Sequence, residues 1–297
     1  MRKTSVYLTD ELKEALASAA TQSGRSEAEF IRGAIELAVQ QARVGSAPTE
    51  APLAKRPGPL LIGVGVGPGA ADLLTPRART AIATADTVVA AAISTDAIGR
   101  AESVARSASD PLKVLRLEID VTGDDEHRAA SFDAAATTLI EHLDRGEVLA
   151  FLTLGDPSLF SVFPRLASAV RRHRPEAPIE VVSGIVAFQE LAAASRTVVA
   201  DDHESIRIIN VGRDPAEIVD LLNDTLGRPD ETLVLYRGGR AVPAIGARLV
   251  EAGRVDAVVG EQLGLPGEQW APVTDHLDQS ASYLACLIAP AVRDERS

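Results

Sequence analysis

Aromatic side chains are scarce in this sequence of 297 residues: one Trp, three Tyr and six Phe make up only 3% of it. Since 46% of the residues are hydrophobic, the core must be aliphatic, built from Ala, Val, Leu and Ile. Cysteine is nearly absent as well. Cys286 stands alone, which excludes an internal disulfide, fits a reducing compartment and assigns the residue to core packing in an apolar, strand-like run. No apolar run reaches the roughly 20 residues that span a bilayer. Met1-Arg2-Lys3-Thr4-Ser5 also lacks the apolar core of a signal peptide, so a soluble cytoplasmic protein is expected. Positive charge is not in excess either. The formal net charge of -12 excludes a chain that coats nucleic acid through its phosphates, while leaving room for a small local DNA reader. No metal site is expected.

What the sequence does have is organised around Leu60-Leu61-Ile62-Gly63-Val64-Gly65-Val66-Gly67-Pro68-Gly69, followed by Asp72-Leu73-Leu74-Thr75. An apolar run that breaks into alternating glycines and a proline reads as a buried strand entering a tight loop. Glycine has no Cβ and accepts positive φ, so Gly65, Gly67 and Gly69 are expected to leave main-chain groups bare for a ligand. The plainer alternative is an ordinary strand-to-helix turn.

Residues 1–43 form a unit of their own. Thr4, Val6 and Leu8 alternate with Lys3, Ser5 and Tyr7, the period-two pattern of a short strand with one buried face. Thr9 and Asp10 open a helix carrying Leu12, Ala15 and Leu16, and Gly24 breaks it. Ser26 with Glu29 makes a capping box for a second helix striped by Phe30-Ile31, Ala34-Ile35 and Ala38-Val39. This strand-helix-helix order resembles the ribbon-helix-helix family, in which two chains pair their strands into a ribbon that enters the DNA major groove. The resemblance implies that Lys3, Ser5 and Tyr7 face base edges and that the start of the second helix near Ser26 faces phosphate. Six basic residues balance six acidic ones over 1–43, so a purely dimerising segment is the competing reading. Residues 44–59, rich in Pro, Gly, Ala and Ser, read as a semi-extended linker.

From Leu60 on, strand and helix patterns alternate, which argues for an α/β domain with a largely parallel sheet over 60–182. Strands are expected at Thr87-Val88-Val89-Ala90, Lys113 to Leu117, Val148 to Leu152 and Ile179 to Val182, and helices over about 72–83 and 128–143; the acidic stretch Asp120 to Glu126 reads as a solvated loop. A second α/β domain over 183–297 carries strands at Ile206-Arg207-Ile208-Ile209, Thr232 to Arg237, Val255 to Gly260 and Tyr283 to Ala289, with a helix after Asp214-Pro215. Leu154-Gly155-Asp156-Pro157 follows one strand, where open α/β sheets hold ligands. Pro157 is expected to open the next helix, with the Asp156 carboxylate either meeting a ligand or capping that helix at Ser158. Val182-Ser183-Gly184-Ile185-Val186-Ala187 makes a third loop of the same kind.

Taken together and in order, Gly65-x-Gly67-Pro68-Gly69 with Leu74-Thr75, Leu154-Gly155-Asp156-Pro157 and Val182-x-Gly184-Ile185 resemble the tetrapyrrole methylase family over about residues 60–290. Within it, Thr153 to Ser161, Phe188-Gln189 with Ala192-Ala193-Ala194, and Gly264-Leu265-Pro266-Gly267-Glu268 are most similar to the branch that methylates precorrin-2 at C20. The resemblance implies a homodimer of chains with two α/β domains and S-adenosylmethionine in the cleft between them. Pro68, Gly155, Asp156, Leu159, Val186, Ala187 and Arg237 would bind that cofactor, and Gly65, Gly67 and Gly69 would border a tetrapyrrole substrate. The implied function is a C-methyltransferase of cobalamin biosynthesis acting on a precorrin-2-like ring. No side chain stands out as a catalytic base.

The chain also departs from the family. Ser183 stands where the family has Pro, and Val186 and Ala187 where it has Ser or Thr. Phe160 and Phe163 replace Tyr, Val162 replaces Thr, and Arg237 replaces Lys of the precorrin-2 branch. Each lost hydroxyl removes a hydrogen bond worth roughly 0.5–1.5 kcal/mol. Two alternatives follow: a ligand-sensing DNA-binding regulator with little or no turnover, or a methyltransferase for another substrate.

Overall fold

The computed structural model describes residues 58–293 apart from 93, 95, 110, 122, 212–221 and 223–225, and before them only Thr9, Lys13, Leu16, Ala17, Ala20, Ser26, Glu27, Ala28 and Ile31. The chain divides into two compact units, Met1–Ala54 and Lys55–Ser297. In the first unit Lys13, Leu16, Ala17 and Ala20 are helical, as are Glu27, Ala28 and Ile31. Lys13 N donates to Thr9 O at 3.0 Å, the bond expected of a helix-opening carbonyl at Thr9. The expected DNA-facing residues Lys3, Ser5 and Tyr7, most of the linker and the helix after Asp214-Pro215 lie outside the described residues.

The second unit begins with a five-stranded sheet of β1 (Leu60–Gly65), β2 (Thr87–Ala92), β3 (Val114–Glu118), β4 (Val148–Thr153) and β5 (Ile179–Val182). Their order is β3-β2-β4-β1-β5, and every pairing is parallel. Side-chain alternation sorts the core into two layers. Leu60, Ile62 and Val64 of β1 pack with Val148, Ala150 and Leu152 of β4 under α1 (Pro76–Thr84) and α2 (Arg100–Ala108). Leu61, Leu149 and Phe151 face the opposite way, under α3 (Asp125–Asp144) and α4 (Phe163–His173). Helices on both faces bury every residue of β1 and β4, which is why these strands read as continuous apolar runs.

The second sheet contains β6 (Ser205–Asn210), β7 (Glu231–Tyr236), β8 (Val258–Glu261), β9 (Gln269–Pro272) and β10 (Cys286–Ala289). Its order is β6-β7-β10-β8-β9, with β6 and β7 parallel and the other neighbours antiparallel. α5 (Ala187–Ser195) covers one face through Leu191, beside Val234, Cys286 and Ile288, and α6 (Val242–Glu251) covers the other. Burial pushes the Cys286 thiol up, so it stays protonated and serves as a small apolar side chain. Arg254 is buried in this unit, its guanidinium donating to the carbonyls of Glu231 at 3.0 Å, Pro290 at 2.9 Å and Arg228 at 2.8 Å. It thereby pins the start of β7 to the end of β10.

Two expected boundaries are corrected. The stretch read as an acidic loop caps a helix: Asp124 Oδ1 accepts from His127 N at 2.9 Å, and Asp125 and Glu126 fill the first turn of α3, where the helix dipole favours carboxylates. The helix expected from about residue 72 breaks in two, a 3-10 turn at Ala71–Leu73 and then α1, because Thr75 caps α1 and Pro76 opens it. No described helix is long and apolar enough to cross a membrane.

Candidate functional site

The register sets Gly65 opposite Thr153 and Val64 opposite Val182, so the loops leaving β1, β4 and β5 emerge at one edge of the first sheet. Adjacent parallel strands carry their loops side by side, and here the loops interlock. Gly155 N donates to Gly67 O at 2.8 Å, and Gly67 N returns a longer bond to Gly155 O at 3.4 Å. Val66 N donates to Thr153 O at 2.9 Å. The Asp156 carboxylate completes the lock: Oδ1 accepts from Ser158 N at 2.7 Å and Oδ2 from Gly184 N at 2.9 Å.

That lock corrects two expectations. Pro157 opens no helix, since Asp156 folds its own loop back at Ser158 and α4 starts only at Phe163. The glycines Gly65, Gly67 and Gly69 do not bare the backbone to a ligand, because the space a Cβ would take is already filled. At Gly65 it would stand 2.6 Å from Gly155 O and Gly184 N, at Gly67 2.9 Å from Leu73 O, and at Gly69 2.5 Å from Leu263 O. The three glycines therefore let loops approach one another.

Beside the lock, and between the two sheets, lies a cleft partly open to solvent, with about 740 Å3 of empty space counting the solvent at its mouth. All seven residues expected to hold a cofactor line it. Pro68 comes from the first loop, Gly155, Asp156 and Leu159 from the second, Val186 and Ala187 from the third, and Arg237 from the end of β7. Gly65, Gly67 and Gly69 are not on its wall. Gly155 is the exception among the loop glycines: its φ is +71°, and a Cβ there would meet nothing closer than 3.9 Å, so its bare face looks toward open space.

The wall also includes residues that motif reading did not single out as site residues. Leu154, Leu263, Leu265 and Leu284 make it apolar, while Arg100, Tyr236 and Gln262 add polar groups. The Gly264-Leu265-Pro266-Gly267 turn pointed toward Leu265; nothing local in the sequence pointed to Leu284 or Arg100. Tyr236 is half-buried, and the desolvation pushes its phenol up; its hydroxyl accepts from Phe188 N at 3.2 Å, anchoring the start of α5. Its ring meets Phe160 edge-on at 5.6 Å. Arg237 Nη2 donates to Phe160 O at 2.8 Å. Phe160, Arg237 and Gln262 all have positive φ, at 48°, 61° and 50°. A left-handed non-glycine residue costs about 1–3 kcal/mol, and three of them on one wall mark it as a site rather than a packing seam.

α5 starts at this wall without a side-chain cap: Val186 holds the N-cap position and carries no acceptor, although Gln189 Oε1 accepts from Val186 N at 3.1 Å. Among the described residues the Ala187 N–H has no partner, so it is left to meet an acceptor from the cleft. Among the described residues Asp156 is the one carboxylate on the wall, and each of its oxygens accepts a backbone hydrogen bond. The arrangement can bind a partly apolar ligand through backbone groups.

Comparison with known proteins agrees with this architecture. Residues 60–275 match the Tetrapyrrole (Corrin/Porphyrin) Methylases, and residues 2–42 match the Ribbon-helix-helix protein, copG family. The chain is 28% identical over 211 residues to the cobalt-precorrin-2 C(20)-methyltransferase of Salmonella typhimurium, covering 70% of this chain and 86% of that protein. It is 26% identical over 244 residues to a precorrin-2 C(20)-methyltransferase of Sinorhizobium sp, covering 79% of this chain and 96% of that one. Among solved structures it resembles the uroporphyrin-III C-methyl transferase of Thermus thermophilus complexed with S-adenyl homocysteine. There the TM-score is 0.53 at 20% identity, over 77% of this chain and 96% of that chain.

Proposed function

The chain belongs to the tetrapyrrole methylase family, and from that membership we propose that it transfers a methyl group from S-adenosylmethionine to a ring carbon of a precorrin-2-like tetrapyrrole in cobalamin biosynthesis. The observation that carries the reading is convergence: Pro68, Gly155, Asp156, Leu159, Val186, Ala187 and Arg237 come from four separate loops and line one cleft. The two precorrin-2 C(20)-methyltransferases, matched over most of their length, support the substrate. The division into an α/β domain over 60–182, a second over 183–297, a linker over 44–59 and a small domain over 1–43 is part of the same proposal.

The cleft fits the cofactor. The open face of Gly155 and the unpartnered Ala187 N–H offer a cradle and a donor, and the leucines offer an apolar bed. S-adenosylmethionine supplies an already activated sulfonium methyl. What the chain must do is hold two partners in line and exclude water; such orientation accounts for roughly 7–11 kcal/mol of a barrier. Asp156 contributes by fixing the loops, its two oxygens accepting from Ser158 N and Gly184 N. With no hydroxyl at Val186 or Ala187, binding relies on backbone groups and on Arg237. The test is methyl transfer: labelled S-adenosylmethionine and precorrin-2 incubated with the full chain should give a labelled tetrapyrrole, and its absence would contradict the proposal.

The match at residues 2–42 favours a second activity on the same chain. The ribbon-helix-helix segment makes the protein a homodimer and binds DNA through Lys3, Ser5 and Tyr7. Selection of operator-length DNA from a random pool by the full chain should yield a consensus that Lys3→Ala weakens. Recovery of unrelated sequences would leave the segment as a dimerising module only.

A further inference from the structure

The polar groups on the cleft wall are unequally committed. Asp156 is bound to two amides, Tyr236 accepts from Phe188 N, and Arg237 donates to Phe160 O. Arg100 is different: among the described residues it is the one charged group on the wall with no hydrogen bond or ion pair. It also comes from a part of the fold that supplies none of the expected cofactor positions, the first residue of α2.

Local rules argue against an arginine there. A cation in the first turn opposes the helix dipole, and Gly99, the N-cap, provides no side-chain cap to offset it. The placement is nevertheless held firmly. A Cβ on Gly99 would stand 3.1 Å from Ala91 O, so the helix start is packed against β2. Two residues further on, in the same first turn, the fully buried Glu102 takes a two-pronged pair from Arg116 of β3, Nε to Oε2 at 2.7 Å and Nη2 to Oε1 at 2.9 Å, and a third bond from Arg106 Nε at 2.8 Å. That network holds the Glu102 carboxyl below its usual range and fixes α2 on the sheet, leaving the Arg100 guanidinium exposed at the cleft. A sequence that breaks a local rule without structural return does so at functional sites.

We propose that Arg100 is a specificity-determining residue that recognises a carboxylate on the rim of the tetrapyrrole. This inference rests on the proposed substrate. Precorrin-2-like rings carry acetate and propionate side chains around their edge, and a guanidinium fork matches a carboxylate in two-point geometry. With no hydroxyl at Val186 or Ala187, Arg100 supplies the polar discrimination between a carboxylated ring and an uncharged one.

The experiment compares the wild-type chain with Arg100→Ala and Arg100→Lys, using sirohydrochlorin, its carboxylate-blocked octamethyl ester and S-adenosylhomocysteine as probes. Fluorescence titration should show Arg100→Ala binding sirohydrochlorin about tenfold more weakly, as expected for one charge-assisted contact at an exposed site. Arg100→Lys should recover part of the loss, and the ester should bind wild type and Arg100→Ala alike. S-adenosylhomocysteine affinity, read by calorimetry, should stay within about twofold, and the melting midpoint of Arg100→Ala should be unchanged or higher because an unfavourable dipole contact is gone. Equal sirohydrochlorin affinity in wild type and Arg100→Ala would overturn the inference while leaving the proposed substrate standing. A loss confined to S-adenosylhomocysteine would overturn it by moving Arg100 to the cofactor's carboxylate. Failure of the wild-type chain to bind sirohydrochlorin would overturn the substrate reading and this inference together.

Discussion

The space of one methyl group decides what Gly65 can be. An alanine there would put its Cβ 2.6 Å from both Gly155 O and Gly184 N, backbone atoms that cannot swing aside as a side chain does. We expect Gly65→Ala to cost about 1–3 kcal/mol by overpacking and to weaken S-adenosylhomocysteine binding at least tenfold, as checked by urea unfolding and calorimetry. The same residue shows how far sequence carries at this scale. That Gly65, Gly67 and Gly69 need bare α-carbons is legible from the pattern; what fills the space is not, because a ligand and a neighbouring loop impose the same requirement. Asp156 is similar. Its position past a strand end is legible, but its two amide partners, Ser158 two residues away and Gly184 twenty-eight residues away, become apparent only once β4 and β5 are seen flanking β1.

At the scale of elements, the joint between α3 and β4 depends on one carboxylate. Glu147 accepts from His142 Nδ1 at 2.7 Å, Thr87 Oγ1 at 2.8 Å and Arg145 Nε at 2.8 Å. The His142 bond above all, with Arg145 and Thr87, holds its carboxyl down to about 2 from an ordinary 4.5. A carboxyl depressed in the folded state stabilises above its unfolded value, and the contribution disappears as pH falls through the folded one. Urea midpoints of the wild type should therefore fall from about pH 5 to about pH 2 more steeply than those of Glu147→Gln; parallel profiles would remove Glu147 as a cause. Most elements were legible because both faces of β1 and β4 are buried and read as unbroken apolar runs. β9, Gln269–Pro272, was not. It is four residues at a sheet edge, mostly exposed and ending in proline, so it has neither an apolar run nor an alternation to announce it. Leu284, just before β10, reaches the cleft because β10 returns between β7 and β8, an insertion that no local pattern encodes.

For the whole molecule, the net charge of -12 and the match of residues 2–42 to the ribbon-helix-helix family fit together if the proposed DNA contact is confined to that one small segment and the remainder is an enzyme. Family membership over residues 60–275 was legible from three ordered motifs, since each marks a loop at the same sheet edge. The departures at Val186, Ala187 and Phe160 lie on the cleft wall, and they make turnover the central question. The most direct measurement is single-turnover methyl transfer by the full chain from methyl-labelled S-adenosylmethionine to precorrin-2, with the product tetrapyrrole isolated and its label counted and located. The account predicts one labelled methyl group per ring at a single carbon. A chain that binds S-adenosylhomocysteine but leaves precorrin-2 unlabelled would contradict it.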